Sequence, residues 1–352
     1  LHDDACIHGY PLFASGGLFW VEGREFFAFQ DILEKGEKSK YLDWYFIDEL
    51  PPRGEWGEIP NFKCFGYYGG MPKLNLKNPE VEKYITDVAC YWIKECDIDG
   101  WRLDVGDEIS HFFWKNFRKA IKAVKKDMLI IGEIWHYAGD FLEGDEWDTV
   151  MNYPFYLNLI DLLADEKINV SQFVQNLGYL KGRLNKKCYP LMWNLIDSHD
   201  TARFLHLCHD NKKKQHLAAA FQLLLPGMPM VYYGDEYAMP GANDPDCRRG
   251  MYWDEEYQDK EMYNWYKKLE TFINEINSIP FTQYYSSIND VSSRYRGVMP
   301  YIYISFTRNG IPYSAQILLG DKLPKTLNAY YNAVNRIASQ NKIGRASCKE
   351  RV

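Results

Sequence analysis

Between residues 78 and 277 the chain alternates short apolar runs of strand length with longer stretches whose apolar residues recur at helical spacing. Asn78 followed by Pro79 opens a helix predicted over 78–96, with Val81, Ile85, Val88 and Trp92 along one face. The alternation continues as strand 98–105, helix 110–126, strands 128–134 and 149–152, helix 171–184, strand 192–196, helix 211–225, strand 229–233 and helix 260–277. That order predicts an α/β fold with a parallel sheet and crossover helices. A (β/α)8 TIM barrel and an open doubly wound sheet both satisfy it. Three acids separate them: Asp104 follows DGWRL, Glu133 follows LIIG and Asp200 follows WNLIDSH. Acids placed after three different strands belong at the carboxyl-end face of a barrel, where they converge on one cleft.

At 352 residues and 46% hydrophobic, the chain has material for a barrel and a smaller module. Its net charge of -7 argues against a nucleic-acid partner, and the run 212–214 (KKK) falls in a helix as a solvated face. The most apolar stretch, 218–230, is short and broken by Pro226 and Gly227, so no membrane span is expected. The glycines of 66–70 lack the spacing and the following helix of a dinucleotide fingerprint. Eight cysteines (Cys6, Cys64, Cys90, Cys96, Cys188, Cys208, Cys247, Cys348) form no CxxC pair and have no clustered histidines, which fits free thiols in a reducing, cytoplasmic setting. Aromatic residues make up 16% of the chain, with 27 Tyr and 11 Trp, and suit either core packing or the apolar faces of sugar rings.

Three acids without a metal cluster point to acid/base and covalent chemistry at an acetal. A retaining glycosidase needs one ionised carboxylate as nucleophile and a second carboxyl as acid, about 5–5.5 Å apart. Asp104 suits the first role, because Arg102 lies two residues earlier on the same strand face and holds it ionised. Glu133 suits the second, with Ile131, Ile134 and Trp135 expected to form an apolar pocket around it. Asp200, next to His199, suits hydrogen bonding to sugar hydroxyls and stabilisation of an oxocarbenium-like transition state. Taken singly, Asp104 or Asp200 reads as a helix cap, Arg102 as a structural ion pair, His199 as a satisfied histidine and Trp135 as packing. Their combination favours the chemical reading.

The blocks GWRLDV (100–105), GEIWH (132–136) and IDSHDTARF (196–204) resemble, in that order, the signature regions of the α-amylase clan of glycoside hydrolases, family 13. MPKLN (71–75), MNYPF (151–155) and YYGDEYAMPGANDPDCRRGMYWDE (232–255) resemble the neopullulanase, cyclomaltodextrinase and maltogenic amylase subgroup. The resemblance implies a (β/α)8 barrel with an excursion after its third strand, Asp104 as nucleophile, Glu133 as acid/base and Asp200 as stabiliser. Arg102 and His199 would bind at the cleaved sugar, Trp135 would stack at the acceptor side, and His136 joins the substrate-binding set. Asp244 and Arg248 would contact donor sugars, although a charged pair holding a surface loop explains them equally well. The substrates implied are cyclodextrins, pullulan or starch-derived oligosaccharides, with a transglycosylase, a sucrose isomerase or a non-catalytic carbohydrate-binding member as alternatives. No cofactor is expected: calcium enters by analogy only, and no loop shows an oxygen-ligand spacing. The subgroup also makes a homodimer plausible for the parent protein.

The resemblance divides the chain into a remnant of the third barrel strand at 1–22, an irregular excursion at 23–75, the rest of the barrel at 76–279 and a truncated antiparallel β module at 280–342. Residues 343–352 (IGRASCKERV) read as translated sequencing adapter. The barrel is accordingly expected to be incomplete at its N-terminus. The stretch 16–21 (GGLFWV) stands where the subgroup carries a block of the type Asp-Gly-Val-Phe-Asn-His, and its polar members are absent, which a local reading error or frameshift in the source explains at least as well as evolutionary change.

Overall fold

A computed structural model describes residues 26–54, 58–185 and 187–277, with backbone alone for 272–277 and for strands β1 (Ala5–Cys6), β2 (Phe13–Ala14), β8 (Tyr301–Arg308) and β9 (Ile311–Leu318). The altered block 16–21, the Asn309-Gly310 turn that YIYISFTRNG predicts between two antiparallel strands of a hairpin, the remainder of 280–342 and the segment 343–352 lie outside the described residues. The chain divides into two compact units, Leu1–Met151 and Asn152–Val352.

In the first unit, the predicted irregular excursion is organised around helix α1 (Phe27–Lys35). Ala28, Phe29 and Ile32 are buried along it, and the Phe29 ring meets Tyr45 at 5.0 Å and Phe62 at 5.2 Å. Antiparallel bridges Tyr45↔Leu74, Ile47↔Phe62 and Cys64↔Pro72 fold the rest of the segment back on itself. Helix α2 (Pro79–Cys96) is capped by Asn78, whose side chain accepts from Glu80 N at 2.9 Å, and it closes at Asp97 in the left-handed region. Its buried stripe is Val81, Ile85, Ala89 and Ile93. Trp92, expected on that stripe, is 41% exposed, because the buried positions advance by four residues and leave it one step round the helix.

Strand β3 (Gly100–Leu103) pairs in parallel with β4 (Leu129–Gly132), in the register Gly100↔Leu129 to Leu103↔Gly132, and β4 pairs with β5 (Thr149–Val150). Helix α3 (His111–Val124), capped by the Ser110 hydroxyl, makes the crossover between β3 and β4. The strands are shorter than predicted, yet their order and parallel sense agree with the α/β reading. Trp101 and Leu103 point into the core, so Arg102 and the residue after the strand, Asp104, share the other side.

In the second unit, Asn152 caps helix α4 (Tyr153–Leu159) instead of ending a strand, and α4 runs on into a π turn, Ile160–Ala164. Helix α5 (Val170–Arg183) starts in a capping box between Asn169 and Gln172. Strand β6 (Trp193–Asn194) pairs in parallel with β7 (Met228–Pro229), joined through α6 (Phe204–Leu207) and α7 (Lys212–Leu224). Phe155, Leu159, Phe173, Ile196, Phe204, Phe221 and Leu269 of helix α8 (Lys260–Asn277) belong to one buried cluster. The predicted solvated lysines are partly paired: Lys212 with Asp259 at 2.5 Å and Lys214 with Glu166 at 2.8 Å. Strands β8 and β9 pair antiparallel, as the hairpin reading of the C-terminal segment expects.

Gly132 ends β4 against Trp147, an indole that is 1% exposed and stacked on Phe141 at 4.1 Å. A Cβ on Gly132 would lie 2.2 Å from Trp147 Cε3, whereas a Cβ on Gly178, inside α5, meets nothing within 4 Å. Gly132→Ala should therefore destabilise by about 1–3 kcal/mol, and Gly178→Ala should stabilise by about 0.5–1 kcal/mol. Urea unfolding midpoints at unchanged slope check both signs.

Candidate active site

The residues expected at the site fall into two clusters, one in each unit. In the first, β3 and β4 end level, with Glu133 N donating to Leu103 O at 2.8 Å. This alignment brings both acids to one guanidinium. Arg102 Nη1 pairs with Asp104 Oδ1, and Arg102 Nη2 lies 3.0 Å from Glu133 Oε1. Glu133 Oε2 also accepts from Val105 N at 2.9 Å, and Oε1 from Trp135 Nε1 at 3.2 Å. The acids are 9% and 4% exposed, respectively. The expected hydrocarbon pocket around Glu133 is thus not what its oxygens meet. Two N–H donors and the charge of the guanidinium meet them, because the strand ends deliver both the arginine and a turn N–H.

Val105, immediately after Asp104, sits at φ 46° and ψ 43°. A β-branched residue in this left-handed region carries strain on the order of 1–3 kcal/mol. The conformation turns Val105 N–H towards Glu133. Trp135 is 41% exposed beside the acid. His136 is exposed and pairs through Nε2 with Asp107 Oδ2 at 2.9 Å, a partner that the sequence reading did not single out.

In the second cluster, His199 Nε2 lies 3.1 Å from Asp200 Oδ2, and Arg248 Nη2 donates to Asp200 Oδ1 at 3.0 Å. Arg248 Nε pairs with Asp244 Oδ1 at 2.7 Å. Asp200, His199, Asp244 and Arg248 are therefore together, and the loop pair also engages the acid. The turn that carries them is internally bonded: Asp200 N donates to Ser198 Oγ at 3.2 Å, Ser198 N to Thr201 Oγ1 at 2.9 Å, and Cys247 Sγ to His199 O at 3.2 Å. Neither Asp104 nor Asp200 caps a helix.

Asp197, Arg203 and Asp235 form a buried cluster that the sequence reading missed, with exposures of 1%, 0% and 1%. Asp197 Oδ2 accepts from Phe204 N at 2.7 Å, and Arg203 Nη1 donates to Asp235 Oδ1 at 3.1 Å and to Tyr233 O at 2.7 Å. The signal was faint: both acids lie in blocks already quoted, but no local spacing announces that residues 38 positions apart will meet. Burial pushes both carboxyls above their ordinary value, Asp235 well above, where the charge of Asp197 adds to the effect and Arg203 opposes it. The pair as a whole favours holding a proton.

Among the described residues, no group of three or more His, Cys, Asp or Glu is arranged to hold a metal ion, and no helix is long and apolar enough to cross a membrane. The six described cysteines are free thiols, and Cys6 and Cys348 lie outside the described side chains.

The Asp235 proton makes stability depend on pH. Unfolded, the group titrates near 3.8, and folded it titrates higher, so the native state binds more protons between the two values. Its contribution is complete below pH 3.8 and declines as pH rises towards the folded value. Asp235→Asn should flatten this decline in urea midpoints measured from about pH 4 to about pH 8.

The family profile "Alpha amylase, catalytic domain" matches residues 22–289. A cyclomaltodextrinase of Thermoanaerobacter pseudethanolicus is 49% identical over 248 residues, which cover 70% of this chain and 43% of that protein. Neopullulanase 2 of Thermoactinomyces vulgaris is 45% identical over 270 residues, covering 76% and 46%. The solved structure of a cyclic α-maltosyl-(1→6)-maltose hydrolase from Arthrobacter globiformis, in complex with cyclic α-maltosyl-(1→6)-maltose, superposes with a TM-score of 0.68 at 35% identity, covering 71% of this chain and 56% of that one. The chain spans less than half the length of these two curated relatives. With parallel strands, crossover helices and acids at the strand ends, the chain belongs to the α-amylase family, and its fold is that of the family's (β/α)8 catalytic domain.

Proposed function

We propose that this chain carries the catalytic centre of a retaining glycosidase that cleaves α-glucosidic bonds in cyclodextrins, pullulan or starch-derived oligosaccharides. The observation that carries the reading is the single guanidinium of Arg102 shared between Asp104 and Glu133. One rigid, always charged fork holding two carboxyls at adjacent strand ends suits the paired acids that retention requires, about 5–5.5 Å apart. The names of the relatives support the substrate class.

In this mechanism the Asp104 carboxylate attacks the anomeric carbon as the glycosidic bond breaks, and Glu133 gives its proton to the departing oxygen. A covalent glucosyl-enzyme results. Glu133 then takes a proton from water, whose oxygen displaces Asp104 and restores it as a carboxylate. Asp200 and His199 hydrogen-bond the hydroxyls of the cleaved sugar and favour the positive charge of the transition state. Arg248, tied to both Asp200 and Asp244, offers donors to the next sugar on the donor side. Trp135 and His136 take the acceptor side.

The half-exposed indole of Trp135 next to Glu133 also favours a second reading, in which an acceptor sugar stacked there outcompetes water. Product analysis on cyclodextrin, pullulan and sucrose separates the two: isomaltulose or large cyclic products would replace hydrolysis by transfer. We also take the β8–β9 hairpin as part of a C-terminal β module, and the irregularly spaced thiols as support for a cytoplasmic setting.

Glu133→Gln should lower hydrolysis of an unactivated glucan by about 10²–10⁴-fold. Proton NMR of the first-formed sugar should show retained α configuration. Undiminished hydrolysis by the variant, or an inverted product, would refute the mechanism and leave a binding protein or a different chemistry.

A further inference from the structure

The mechanism above uses His199 and Asp200 but leaves Asp197, Arg203 and Asp235 without a task. Asp197 and Arg203 are the two ends of the turn that presents His199 and Asp200. At one end, Asp197 Oδ2 takes the Phe204 N–H at 2.7 Å and closes the turn across its mouth. At the other, Arg203 N donates to Gly241 O at 3.0 Å, while its guanidinium lies over the rings of Tyr232 and Tyr233, at 4.4 and 4.9 Å. Asp235 anchors that guanidinium and is itself held, because Gln215 Nε2 on α7 donates to its main-chain oxygen at 3.0 Å.

Two carboxyl oxygens in the cluster, Asp197 Oδ1 and Asp235 Oδ2, are buried and have no N–H donor. Two carboxylates against one guanidinium would also leave an uncompensated negative charge out of water, with Glu236 adding to it. One proton shared between the acids resolves both problems. It neutralises the set and gives the two bare oxygens a hydrogen bond.

We propose that Asp197, Asp235 and Arg203 are positioning residues: a hydrogen-bonded acid pair clamped by the guanidinium sets the turn from which His199 and Asp200 act. The proposal rests on the role given above to Asp200.

A carboxylic acid and a side-chain amide are interchangeable in this arrangement, provided that one carboxylate remains for Arg203. Asp197→Ala removes the acceptor of Phe204 N–H and should lower kcat by about 100-fold with little change in KM, since displaced catalytic groups cost rate more than binding. Asp197→Asn keeps an acceptor for Phe204 N–H and a donor for Asp235, so it should restore kcat to within about threefold of the parent. Asp197→Asn combined with Asp235→Asn leaves the guanidinium without a buried counter-charge, and kcat should fall again or the fold should be lost. If Asp197→Ala does not fold, the comparison of Asp197→Asn with the double variant decides alone: equal rates for the two overturn the proposal, as does a kcat for Asp197→Asn as low as the alanine variant's. Infrared difference spectra at neutral pH supply a readout independent of turnover. Beyond any band that Glu133 contributes to both, the parent should carry a carbonyl stretch of a protonated carboxyl that is lost in Asp235→Asn and so stands out in the parent-minus-variant difference. A parent without glycosidase activity that shows the band contradicts the functional reading and not the acid pair. Absence of the band in the parent overturns the pair itself.

Discussion

The parallel pairing of β3 with β4 is the constraint on which the first cluster depends. Its register sets Leu103 beside Gly132, so the next residue on each strand is an acid and the arginine before them reaches both. A shift of one residue would turn Arg102 and Asp104 together, or Glu133 on the other strand, into the core and leave buried charge unpaired. Core and site are therefore specified together. Trp101 and Leu103 hold the strand in place from the apolar side, and the guanidinium fork reads the result on the other.

In the second unit the same economy appears in a different material. There the acid rides on a turn, not directly at a strand end, and a turn has no ladder to hold it. Side-chain bonds replace the ladder: the Ser198 and Thr201 hydroxyls inside it, Cys247 against His199 O, and Asp197 across its ends. Short polar side chains that bond neighbouring main-chain groups are well suited to this, and they are abundant in the run 197–201.

What was legible in the sequence was local. Asn78, Ser110 and Asn211 each mark an expected helix start where the structure has one, because a cap acts within three residues, whereas the start of α5 was placed two residues late and its cap, Asn169, was missed. The positions of Asp104, Glu133 and Asp200 were legible for a related reason, since each follows an apolar run that only a strand explains. Helix α1 was missed because Phe26 gives it no side-chain cap and its start is crowded with aromatics that also suit strands. Trp92 was misplaced by an ambiguity of one step in helical phase. The surroundings of Glu133 were misjudged from its sequence neighbours, when its bonding partners come mainly from the adjacent strand and turn. Asp197 and Asp235 were invisible because their partnership exists only once α7 and the chain after β7 are packed.

Val105 gives the first cluster an unequal division of labour between comfort and use. Its left-handed backbone is costly for a branched side chain, yet it is what aims the N–H at Glu133. A glycine at this position would relax the turn, and a chain selected only for endurance would be expected to drift towards it. A branched residue there narrows the backbone choices of the turn, so that the N–H stays on one oxygen of a carboxyl with several partners. The residue after Asp104 is in that sense a latch, and the tension in it is what keeps the latch shut.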